Sequence, residues 1–218
     1  MTSSPPRARS RARTLIRNEL GIWRSLFFMV VRRVPGRGPG VQSFPYAKEA
    51  TPLVAALIFV SVIELPVVGL LLPWAAVRLV VLLFSLWTVF WMAGLLATIR
   101  VHPHLLDDYG LRVRQGAATD IRIPWEAIAS VTARRGRVQT RERLHIEQSD
   151  DGPILNVPAM KQTRVEIALH QPTSLKLPNG VEEVTRVRLY ADNPNALTAA
   201  VRQRLASRRD VGQPTGQR

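Results

Sequence analysis

The chain has 218 residues, 46% of them hydrophobic, a net charge of +14 and no cysteine. The missing cysteine excludes a disulfide framework, a thiolate metal site and a thiol nucleophile. The positive balance points to anionic partners, nucleic acid or lipid headgroups.

In chain order, residues 1–14 are rich in Ser, Pro and Arg and read as a disordered basic tail. Residues 15–34 follow with Ile16, Leu20, Trp23, Phe27, Val30 and Val31 at helical spacing and Arg17, Arg24 and Arg32 between them. This pattern predicts an amphipathic interfacial helix. It is not a signal peptide, because Arg24 interrupts the apolar run and no small-residue cleavage site follows. Residues 35–49, beginning PGRGPG, read as a linker.

Residues 50–99 hold two apolar runs, TPLVAALIFVSVIELPVVGLLL and WAAVRLVVLLFSLWTVFWMAGLLATI, separated only around Pro73. A hydrocarbon core about 30 Å thick needs roughly 20 apolar helical residues, so each run is long enough to cross it. The remainder of the chain is too small and too polar to bury two such helices in a soluble core. Arginines crowd the region before the first run, Arg100 follows the second, and between the runs only Arg78 is basic. The positive-inside rule therefore places both termini in the cytoplasm of a multi-pass inner-membrane protein. Glu64 and Arg78 are the charges within the runs, roughly 13 Å and roughly 8 Å from the turn at 1.5 Å per residue. Their expected role is an intramembrane charge pair fixing the hairpin; the sharper reading gives Glu64 a function in transport. Ala93, Gly94 and Ala97 offer a small-residue contact surface for self-association.

After Arg100 the period changes from helical to two. LRVRQ, TDIRI, AIASVTARR, ERLHIEQ, PILNVPA, TRVEIALH and TRVRLYA read as short strands separated by Gly, Pro and Asp turns. They predict an antiparallel barrel or sandwich over residues 100–209, with Trp125 as the apolar anchor at a corner after Pro124. Asp192 or Asn193 caps a final helix, Pro194 fits its first turn, and Leu197, Ala200, Val201 and Leu205 form its apolar stripe. Residues 210–218 read as a disordered tail.

Two membrane-length helices followed by DDYGLRVRQGAATDIRIPWEAIASVTARR resemble the bacterial pleckstrin-homology-like membrane proteins of actinobacteria. Gly110, Arg112, Arg114, Arg122, Pro124, Trp125, Ile128 and Val131 carry the resemblance, which covers roughly residues 50–205. It implies a strongly bent antiparallel barrel of about seven strands capped by a C-terminal helix, with no catalytic residues.

The chemistry-bearing candidates are few. His102, His104, Asp107 and Asp108 cluster in sequence, but His145 and His170 are not placed to complete a metal site, and no metal or cofactor is expected. SDDG at 149–152 reads as a hairpin turn, not a calcium loop. No nucleophile elbow or phosphate loop is present, so no enzyme is expected. The arginines are the best candidates: Arg112, Arg114 and Arg122 on one sheet face, with Arg134, Arg135, Arg137, Arg141 and Arg143 in the stretch after it. Each basic residue near an anionic leaflet is worth about 1 kcal/mol. The expected partners are the membrane, through two spans and inner-leaflet contact, and a protein or a second copy. Nucleic acid is disfavoured, since no aromatics interleave the arginines.

Overall fold

A computed structural model describes residues 23–25, 27–28, 31, 38, 40–116, 119–139, 144–178 and 180–212. The basic tail at 1–14, the residues past 212, and Arg141 and Arg143 lie outside them, as does most of the 15–34 segment. The chain forms two compact units. One comprises residues 1–35, 47–102 and 116–118; the other comprises 36–46, 103–115 and 119–218.

The first unit holds helix α1 (Ala50–Leu71) and helix α2 (Ala75–Val101). Both are long and apolar enough to cross a membrane. They pack on each other through a three-residue connection, Leu72 to Trp74. Two hydroxyls of α2 are turned back on the backbone: Thr88 Oγ1 donates to the Phe84 carbonyl and Thr98 Oγ1 to the Gly94 carbonyl, each at 2.9 Å. Such bonds satisfy a hydroxyl within its own helix, as a spanning helix needs. Residues 23–25 and 27–28 are helical, and Trp23 packs on Trp87 with ring centroids 5.1 Å apart, midway along α2. Arg78 does not pair with Glu64. Its Nη1 donates to the Gly69 carbonyl at 3.4 Å, and both charged side chains are exposed. The carbonyl is the nearer acceptor because Gly69 lies closer to the turn than Glu64 and has no side chain to shield it.

The second unit is α+β. Sheet A runs β1 (Gln42–Phe44), β2 (His104–Leu106), β3 (Gly110–Gln115), β4 (Thr119–Pro124), all antiparallel. Sheet B contains β5 (Ile128–Arg137), β6 (His145–Glu147), β7 (Ile154–Val157), β8 (Gln162–Leu177) and β9 (Gly180–Leu189) in the order β5-β8-β9-β7-β6. Three of its four strand pairings are antiparallel, and the fourth, β7 with β9, is parallel. The seven expected strands are thus nine among the described residues, in two sheets and not one closed barrel. The two extra strands, β1 and β2, are three residues each and carry no alternation of their own. β1 lies inside the stretch that reads as a linker. It pairs with β2, some sixty residues later, so only the fold creates it.

Alternation places the core. In β4, Thr119, Ile121 and Ile123 are buried while Asp120, Arg122 and Pro124 are exposed. Leu111 and Val113 of β3 oppose Ile123 and Ile121, and their inner face meets Val131, Val165, Ile167, Val187 and Leu189 of sheet B in one apolar core. The chain crosses between the sheets at a short 3₁₀ turn, Trp125–Ala127. Trp125 is buried there, its Nε1 donating to the Asp107 carbonyl at 3.0 Å. Gly110 begins β3 because nothing larger fits: a Cβ would collide with the carbonyl oxygen of Ile123. Helix α3 (Pro194–Gly212) completes the unit. Asn193 is the residue that caps it, Oδ1 accepting the Ala196 N–H at 3.0 Å, and Leu197 and Val201 enter the core. The helix continues past Arg209 to Gly212.

Candidate functional site

Register decides what the first three arginines can do. Arg112 of β3 lies directly opposite Arg122 of β4, and Arg114 opposite Asp120, so all four side chains share one face. Like charges directly opposed repel. The face resolves this diagonally: Arg112 Nε donates to Asp120 Oδ1 at 3.2 Å and its Nη2 to Oδ2. The hydrogen bond to Asp120 holds the Arg112 guanidinium above its ordinary pKa. Arg114 is buried, and burial pushes its guanidinium below the ordinary value. Only Arg122 is left exposed without an ion pair among the described residues.

The second set stands on β5, an edge strand of sheet B. Arg134 Nη1 reaches Glu166 Oε1 at 3.3 Å, and Arg188 Nε reaches Glu166 Oε2 at 2.6 Å. Burial alone would raise the Glu166 pKa, but the two guanidinium groups outweigh it and hold the carboxyl below its usual value. Arg188 also approaches Glu147, at 3.5 Å, and Arg186 pairs with Asp151 at 2.5 Å. This face of sheet B is therefore self-neutralising. Arg135, within the register shift between Ala133 and Gly136, and Arg137, just past it, are exposed and join no ion pair among the described residues. The structure thus separates Arg112, Arg114 and Arg122 from Arg134, Arg135 and Arg137 onto different sheets.

Two features have no signal in the linear pattern. The first is the turn between β7 and β8. Met160 and Lys161 both adopt left-handed backbone, with φ of 48° and 64°. Ala159 and Gln162 close the turn with reciprocal N–H to carbonyl bonds of 3.0 and 2.9 Å. Such two-residue hairpin turns favour Asn-Gly, and Met-Lys is a strained substitute. The turn sits beside the end of β5: Arg137 pairs with Gln162, and the Val138 N–H donates to the Lys161 carbonyl at 2.9 Å.

The second is His104. It is buried, stacked on Tyr46 at 5.0 Å, with Nε2 donating to the Tyr190 carbonyl at 2.9 Å and Nδ1 accepting the Arg114 N–H at 3.1 Å. Desolvation, helped by the charge on Arg114 and opposed by the Tyr190 carbonyl, lowers its pKa from 6.5 to about 4. With both nitrogens committed to backbone, it has no lone pair to offer a metal. Among the described residues no group of three His, Asp or Glu is placed to hold one.

A surface groove of about 600 Å³ runs along α3 beside the corner, with Trp125, Ile128 and Leu205 among its walls. Its Arg208 is engaged at both ends, with Glu126 at 3.0 Å and with the Asp108 carbonyl. Comparison with protein-family models, characterised proteins and solved structures yields no match.

Proposed function

We propose that the chain is a membrane-anchored, non-catalytic binding module. The α1–α2 hairpin fixes it in the inner membrane with both termini cytoplasmic, and the β unit engages anionic lipid headgroups or an acidic protein. The observation that carries this reading is the residue of cations left after internal pairing. Arg122, Arg135 and Arg137 are exposed and join no ion pair among the described residues, in a unit whose first post-helix strand starts three residues after α2 ends. A few cations on an already tethered unit give useful affinity, because the tether supplies the effective concentration.

A pleckstrin-homology-like ancestry belongs to the same proposal. It is supported by Gly110 at the start of β3, the Pro124–Trp125 corner and the C-terminal helix closing the core. The parallel β7–β9 pair and the division into two sheets depart from that pattern.

The test is amide exchange on the full chain in nanodiscs of neutral or anionic lipid. Protection of β-unit segments only in anionic discs, reversed by salt and by Arg122→Ser/Arg135→Ser/Arg137→Ser, is the expected result. Identical exchange in both discs refutes lipid engagement. A second reading, an accessory subunit of a transport or envelope complex, is favoured by Glu64, whose carboxylate faces outward from α1 without Arg78. Glu64→Gln that abolishes association with partner membrane proteins while leaving the fold intact would favour it.

A further inference from the structure

We infer that the β7–β8 turn is a membrane-insertion tip: Met160 enters the acyl boundary of an anionic leaflet while Arg135, Arg137 and Lys161 bind the surrounding headgroup phosphates. This rests on the reading of the β unit as a membrane-tethered module, and it names the surface that module uses.

Four observations converge on the tip. Met160 is 51% exposed, an apolar side chain held out by its own backbone and absent from the core. The left-handed pair that presents it is disfavoured for both residues, and strained backbone of this kind clusters at functional sites. The Val138–Lys161 bond and the Arg137–Gln162 pair bring the end of β5 alongside. Finally, Arg135, Arg137 and Lys161 join no ion pair among the described residues, while the carboxylate nearest along β8, Glu166, is already held by Arg134 and Arg188.

The shape chooses the occupant. A convex two-residue tip buries little area against a folded protein, so a protein partner would gain few contacts from it. A bilayer accepts such a wedge. Methionine is flexible and apolar enough to enter among acyl chains, and long basic side chains reach up to phosphates from beside it. The charge is complementary to a leaflet containing anionic lipid and to no neutral one.

The chain's lack of cysteine allows a single reporter. Met160→Cys carrying an environment-sensitive fluorophore is placed in the full chain in nanodiscs. We expect the probe to brighten several-fold in anionic discs but not in neutral ones, and to return to its aqueous signal at roughly 0.5 M salt, where exposed charges are screened. Arg135→Ser/Arg137→Ser/Lys161→Ser should abolish the brightening. A probe that stays aqueous in anionic discs overturns the inference.

Met160→Asn supplies an unlabelled check, because asparagine tolerates the left-handed turn and is polar. It should keep the melting temperature and lose the anionic-disc amide protection over residues 158–163; retained protection also overturns the inference. If protection instead appears only around Arg122, the module still engages lipid but not by this tip. If it appears nowhere, lipid engagement by the β unit falls as well.

Discussion

On the β3–β4 pair, Arg112, Arg114 and Arg122 leave the sheet on one face, and two of the three are withdrawn from outside partners. Arg112 is bound diagonally to Asp120, and Arg114 is buried. On β5, Arg134, Arg135 and Arg137 stand along a sheet edge, and among the described residues only Arg134 has a carboxylate partner. The two triplets look equivalent as sequence. The difference lies in what opposes them. β3 is an inner strand with neighbours on both sides at fixed spacing, so its Arg112 is paired and its Arg114 covered. The exposed Arg122 stands on β4, the outer strand of sheet A. An edge strand running into a bulge carries its charges past its neighbours, where they protect the edge and remain free for a partner.

Substitutions test this contrast in descending order of effect. Gly110→Ala should be the most damaging, because the new methyl meets backbone that cannot move aside without opening β3 from β4. We expect a loss of about 3 kcal/mol or more, read as thermal unfolding of the purified chain.

Acidification should strike the same sheet. The native state holds His104 neutral down to about pH 4, whereas the unfolded chain takes up the proton near 6.5. Its stabilising contribution is therefore complete above pH 6.5 and is lost as pH falls through that window, by about 3 kcal/mol in all. His104→Leu should flatten the acid dependence. It should also cost about 2 kcal/mol at neutral pH, since the Arg114 N–H and the Tyr190 carbonyl lose their partner. An unchanged acid slope in that variant would show that another group governs it.

Asp120→Asn removes the carboxylate that separates Arg112 from Arg122. A loss of about 1 kcal/mol is expected, smaller at high salt, because the pair is partly solvated. On the β5 side the sign reverses: Lys161→Gly should stabilise the unit by up to about 1 kcal/mol by relieving the left-handed backbone. Arg135→Ser/Arg137→Ser should change stability by less than about 0.5 kcal/mol, since neither side chain has an ionic partner to lose among the described residues. A larger loss in denaturant titration would show these arginines to be structural.

The amino-acid sequence alone determined a good deal of this protein. Apolar runs longer than 20 residues, each holding a single charge and separated only around Pro73, admit two long helices and little else. Strict alternation in TDIRIP already assigns Ile121 and Ile123 to the core and Arg122 to the outside, because a strand's side-chain period is two. Pro124–Trp125 marks a corner, and Asn193–Pro194 the start of the last helix, since caps and breakers act within a few residues of themselves. The interactions that only the tertiary structure decided are those whose partners are distant in the chain. Gln42–Phe44 becomes a strand because His104–Leu106 comes to lie beside it, and β7 pairs parallel to β9 across the whole of β8. Arg78 takes the Gly69 carbonyl and not Glu64, and His104 finds Tyr190 eighty-six residues away. Which arginines stay available follows the same rule. Neutralisation depends on the register of neighbouring strands, and register is a property of the folded sheet that no single strand encodes.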